Sequence, residues 1–104
     1  MSYNLTDNVK DTFPLELRGL RYEMRYPTTG ELEDIEEIGA RYQSLREEGN
    51  AEGAKAANTE LEDYLYSLIT PVEHQGSFKD AIKKENVLVF RNFNTMIKKE
   101  LSVG

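Results

Sequence analysis

The sequence predicts a mainly α (α+β) fold: an N-terminal β-hairpin followed by a small bundle of three to four helices, which includes an antiparallel helical hairpin. Three observations predict it. Apolar residues alternate from Phe13 to Tyr26, the period of a half-buried strand pair. After Pro27 they recur at every third or fourth position, the period of an amphipathic helix. "EGNAEG" and Thr70-Pro71 then punctuate the helical part. A chain of 104 residues has room for one modest core. It is therefore read as a single domain with a loose lead at 1–12, the hairpin at 13–26 and a helical region at 28–102.

The hairpin has a self-consistent register. If Arg18-Gly19 forms a two-residue turn, Leu17 lies opposite Leu20, Leu15 opposite Tyr22 and Phe13 opposite Met24. These apolar pairs share one face, and Glu16 meets Arg21 on the other. A slip by one residue would mix the faces. Pro14, lacking an N–H, must point its nitrogen away from the partner strand.

Pro27 ends the strand, and Thr28 to Glu31 has the spacing of a capping box. Glu31, Glu33 and Asp34 fall near the positive end of the helix dipole. Leu32, Ile35, Ile38, Tyr42 and Leu45 form one stripe, so the first helix is expected to run to about Glu48. A second helix starts around Ala51 to Ala54 and places Ala54, Ala57, Leu61, Leu65 and Leu68 on a narrow face. Thr70-Pro71 stops it. The short link between the two makes them an antiparallel pair. Ser77 and Asp80 signal a short helix over Phe78 to about Glu85, and a last helix is expected from about Asn86 to Ser102.

Composition excludes several function classes. The chain has no cysteine, so thiol catalysis, disulfides and cysteine metal sites are absent, as suits a reducing cytoplasm. Its start, "MSYNLTDNVKDTF", lacks the basic and apolar segments of a signal peptide, and no stretch approaches the length of a membrane span. The net charge of −6 opposes general nucleic-acid binding. That charge is uneven: residues 1–74 hold 7 Lys/Arg and 16 Asp/Glu, a net of −9, whereas residues 75–104 hold 6 and 3, a net of +3. Such a molecule can meet a neighbour head to tail.

No catalytic, cofactor or metal constellation emerges. His74 stands beside Glu73 in a turn without partners at ligand spacing. Glu33, Glu36 and Glu37 share a helix in the manner of a solvated acidic face. Arg18, Arg21 and Arg25 alternate with Tyr22 and Tyr26 as ordinary strand residues do. An enzyme is not expected.

The last helix is the strongest functional signal. Val87, Val89, Phe90, Phe93, Met96, Ile97 and Leu101 cover about half its circumference, more than one core contact requires. Either the helix is wholly buried in the bundle, or one side completes the core while Phe90, Phe93 or Met96 meets a partner. The hairpin poses the same alternative, because two strands are marginal alone. Its apolar face packs on its own domain or reaches another copy. The predicted protein-interaction residues are Tyr22, Met24 and Tyr26 on the hairpin and Val89, Phe90, Phe93 and Met96 on the last helix.

"LELRGLRYEMRYPTTGELEDIEEI" and the ending "FKDAIKKENVLVFRNFNTMIKKEL" resemble the tail assembly chaperones of long-tailed bacteriophages and prophages. The resemblance spans roughly Phe13 to Leu101 and concerns the order and texture of elements, without an invariant motif. It implies a helical protein with an N-terminal β-hairpin that oligomerises in the host cytoplasm. Its partners would be the helical tape-measure protein, which it keeps soluble, and possibly the tail-tube subunit; it would be missing from the mature virion. It implies no cofactor and no catalytic residue. The alternative readings are an acidic phage-encoded inhibitor or DNA mimic that binds a host protein, and a structural tail or head-completion component.

Overall fold

The computed structural model describes residues 2–101. Along the chain run β1 (Thr12–Leu17), β2 (Leu20–Arg25), α1 (Thr29–Glu47), α2 (Ala51–Ser67), β3 (Ile69–Pro71), α3 (Phe78–Lys83) and α4 (Val87–Leu101). The fold is thus a hairpin followed by four helices, as the sequence predicts. Met1 of the lead, and the expected end of the last helix at Ser102, lie outside the described residues.

The hairpin register is the predicted one, from Phe13 opposite Met24 to Leu17 opposite Leu20. Arg18 and Gly19 both adopt positive φ, 52° and 80°, as a type I′ turn demands. With Leu17 and Leu20 closing the turn, ladder bonds alternate through Leu15–Tyr22 and Phe13–Met24. Pro14, opposite Glu23, therefore falls between bonded pairs and costs the ladder nothing.

A third strand was not foreseen. α2 ends at Ser67, ahead of Thr70-Pro71, and those two residues belong to β3, which pairs antiparallel with β2. The sheet order is β1-β2-β3. Arg25 N–H donates to the Leu68 carbonyl at 2.8 Å and Val72 N–H to the Arg21 carbonyl at 2.9 Å. Three residues are too few to show a period, so no sequence pattern marks such a strand. His74 holds the turn that follows: its Nδ1 accepts from Gly76 N–H and its Nε2 pairs with the Arg21 carbonyl.

The helix caps follow their sequence signals. Thr28 Oγ1 accepts from Glu31 N–H, and the Glu31 carboxylate accepts from Thr28 N–H at 2.9 Å. Arg25 adds two short bonds to the same carboxylate, at 2.6 and 2.9 Å. At the far end Gly49, at φ 77°, lets the chain reverse. Its N–H donates to the Arg46 carbonyl, and that of Asn50 donates to the Leu45 carbonyl, the bonding of a Schellman motif. Asn50 Oδ1 then caps α2 through Gly53 N–H. One asparagine closes one helix and opens the next.

The cap has a measurable pH signature. The Arg25 guanidinium, aided by Thr28 N–H, lowers the Glu31 carboxyl from 4.5 to about 2. Because the folded value lies below the unfolded one, this stabilisation is complete above about pH 4.5 and disappears as pH falls toward about 2. Urea titrations should show Glu31→Gln less stable than wild type at neutral pH, with the gap closing across that window. Thr28→Ala, which keeps the ion pair and deletes the cap, should cost about 1 kcal/mol. A gap independent of pH would exclude this account.

The main core lies between sheet and helices. Phe13, Leu17, Tyr22 and Met24 pack with Leu65, Tyr66, Leu68 and Ile69 and with Phe78, Ile82, Phe93 and Ile97. Rings link the layers: Tyr22 meets Phe78 edge-on at 5.1 Å, Phe78 meets Phe93 at 5.2 Å, and Tyr66 stacks on Phe93 at 5.8 Å. The open route of the hairpin is thereby decided, since its apolar face covers its own helices. Away from that core, α1 and the first half of α2 hold each other. Only Ile38 of α1 is buried, facing a helix whose Ala54 and Ala57 are buried too, while the remaining apolar residues of the α1 stripe are half-buried.

The result is a flat molecule of 52 × 40 × 20 Å with a radius of gyration of 15.8 Å, against about 13 Å for a compact chain of this length. Its accessible surface is 7890 Å²; a compact monomer of this mass exposes about 6,000 Å².

Candidate protein-interaction surface

α4 lies along the hairpin and is tied to it near both ends. Just ahead of α4, Glu85 accepts from Arg18 in the hairpin turn, at 2.7 Å from Nη2 and 3.0 Å from Nε. Near its other end, Glu100 accepts from the Tyr26 hydroxyl at 2.9 Å. Between the two ties the backbones stand apart, leaving a groove of about 240 Å³ lined mainly by Leu15, Leu17, Val89, Phe93 and Met96. Phe78 and Ile82 of α3 also contribute to its lining. The opposite flank of α4 borders a second shallow recess with Tyr66, Ile82, Val87 and Phe90.

This arrangement sorts the predicted contact residues. Tyr22, Met24 and Phe93 are sealed within the core, so the expectation that they touch a partner directly is corrected. They face the helices because the sheet's apolar side has no other cover. Tyr26 is half-buried: its ring tilts on Phe13 at 4.9 Å and its hydroxyl forms the tie to Glu100, which raises its pKa above the ordinary tyrosine value. Val89 and Met96 are half-buried on the groove side of α4, and Phe90 is half-buried on the other flank. The helix is therefore covered on one face only, with Phe93 and Ile97 at the centre of that face.

Other members of this surface lie outside the predicted contact residues. Leu15, on the hairpin's apolar face as predicted, packs against the core and also lines the groove. Val87 and Leu88 open α4 with 66% and 55% of their surface exposed. A single leucine on the cationic side of a helix gives no periodic signal; its position beside Val87 is the cue that was available. In the lead, Tyr3 and Leu5 are 90% and 87% exposed.

Two hydroxyls in the core, those of Tyr22 and Tyr66, have no hydrogen-bond partner among the described residues. Burial, with Glu62 and Asp63 nearby, pushes Tyr66 up to about 12. An unpaired buried hydroxyl contributes desolvation cost without a compensating bond. Tyr66→Phe is therefore expected to be neutral or stabilising by up to about 1 kcal/mol in urea titrations; a loss above that range would reveal an unseen partner.

Among the described residues no group of three His, Asp or Glu side chains is placed to hold a metal ion, and no helix is long and apolar enough to cross a membrane. Comparison with known protein families, curated proteins and solved structures returns no match.

Proposed function

We propose that this protein is a non-catalytic tail assembly chaperone that self-associates and shields amphipathic helices of a client. The observation that carries the reading is the one-sided cover of α4. Phe93 and Ile97 are sealed, whereas Val87 and Leu88 are exposed and Val89, Phe90 and Met96 sit on the rims. A client helix with apolar residues on one face would lay them along such a strip. Methionine and aromatic side chains adapt to many sequences, which suits a chaperone better than a single-partner receptor. The surplus of surface over a compact monomer supports self-association. The family resemblance supplies the client's identity, the helical tape-measure protein, and the host cytoplasm as the place of action.

Co-expression tests the reading. The tape-measure protein should stay soluble with the wild-type chain and precipitate with Val87→Asp/Phe90→Asp, provided that circular dichroism shows this variant folded. A folded variant that protects as well as the wild type would exclude α4 as the client surface. A wild-type chain that gives no protection would defeat the chaperone reading altogether.

A further inference from the structure

One segment remains without a role, and the groove between β1 and α4 lies open. Residues 2–11 form an arm whose apolar side chains touch nothing substantial: Tyr3 is 90% exposed, Leu5 87% and Val9 60%. The arm is not featureless, since Asp7 N–H donates to the Asn4 carbonyl and Asn4 Oδ1 accepts from Thr6. Those bonds set a turn that brings Leu5 and Val9 nearer one another than in an extended chain. The groove has apolar walls of Leu15, Val89 and Met96 and an apolar floor that includes Phe93.

We propose that the arm of one copy seats Leu5 and Val9 in the β1–α4 groove of a second copy. The inference rests on the self-associating half of the function proposed above and names the contact.

Two observations select this occupant. The first is direction. Tyr26 N–H donates to the Asp11 carbonyl at 3.0 Å, so the chain pairs with the end of β2 until the arm begins. The arm therefore departs beside the Tyr26–Glu100 tie, at the end of the hairpin remote from its turn. To fill the groove of its own chain it would have to double back past Phe13 and Tyr26. A neighbouring groove requires no reversal. The second is area. The accessible surface of 7890 Å² exceeds that of a compact monomer by about 1,900 Å², enough to supply the roughly 800 Å² that each partner buries in a specific interface.

In the assembly the arm thus covers the Val89–Met96 rim of α4, and the client keeps Val87, Leu88 and Phe90 beside the recess that this contact leaves open.

The absence of cysteine permits a direct test on the full chain. Single-cysteine chains Leu5→Cys and Met96→Cys are mixed under mild oxidation. Proximity should give at least about tenfold more mixed disulfide than Leu5→Cys with Ser44→Cys, whose cysteine lies on the exposed side of α1. Light scattering should show a wild-type mass above the monomer that returns to the monomer value in Leu5→Asp/Val9→Asp, which changes only exposed residues. Equal yields in the two mixtures would overturn the inference, as would an intramolecular bond in Leu5→Cys/Met96→Cys. So would a monomeric wild type, or an unchanged mass in the arm variant. If the arm contact fails while the wild type remains oligomeric and protects its client, the chaperone reading stands and only this contact falls.

Discussion

Truncating Phe93 to alanine is expected to cost about 3–5 kcal/mol, the range for a buried aromatic deleted from a packed core. Phe93 is 7% exposed and touches the rings of Tyr66, Phe78 and Phe90. It joins α4 to α2 and α3 at once, and its removal leaves a void that three rings cannot close without leaving their preferred tilts. A loss of that size is a large share of the 5–15 kcal/mol that holds an ordinary domain together. Phe90→Ala and Met96→Ala, on half-exposed flanks of the same helix, should cost about 1 kcal/mol each. Urea unfolding of the three variants separates the roles. Equal losses would mean that α4 is buried all round, and the interaction surface would vanish with that result.

Met24→Ala should destabilise by about 2–5 kcal/mol. Met24 is 0% exposed, lies on the central strand, and has Phe13 opposite on one side and Ile69 on the other. No exposed side chain can swing in to refill the space, because both neighbouring strands fix their backbones by ladder bonds. Leu20, in the same strand but beside the turn, is 45% exposed, and Leu20→Ala should change stability by no more than about 0.5 kcal/mol. Thermal or urea melts of the pair test whether the third strand truly closes the sheet over Met24. Were β3 absent, Met24 would sit near an edge and the two costs would converge.

These contrasts mark where the sequence was legible. The hairpin register could be read residue by residue, since period-two alternation and a two-residue turn admit one pairing that keeps the faces apart. The caps at Thr28 and Ser77 could be read for a similar reason: each is a bond between near neighbours, decided within four residues. The contact surface was only half legible. A wide apolar arc marked α4 as the candidate surface, but not which of its residues face inward. Phe93 and Phe90 are three positions apart on one helix and read alike. The difference between them depends on where α2 and α3 lie.

By itself the sequence determined the local elements: hairpin, helix boundaries, caps, the charge asymmetry, and an apolar area too broad for one small core. Those features arise from interactions between residues close in the chain, so they are written in spacing and side-chain type. Tertiary structure alone decided that β3 joins the sheet, that Tyr22, Met24 and Phe93 are sealed, and that a groove opens between β1 and α4. Each of these depends on contacts between distant segments. The two ties of α4, Arg18 to Glu85 and Tyr26 to Glu100, join residues more than sixty positions apart, and no periodicity along the chain encodes such a meeting.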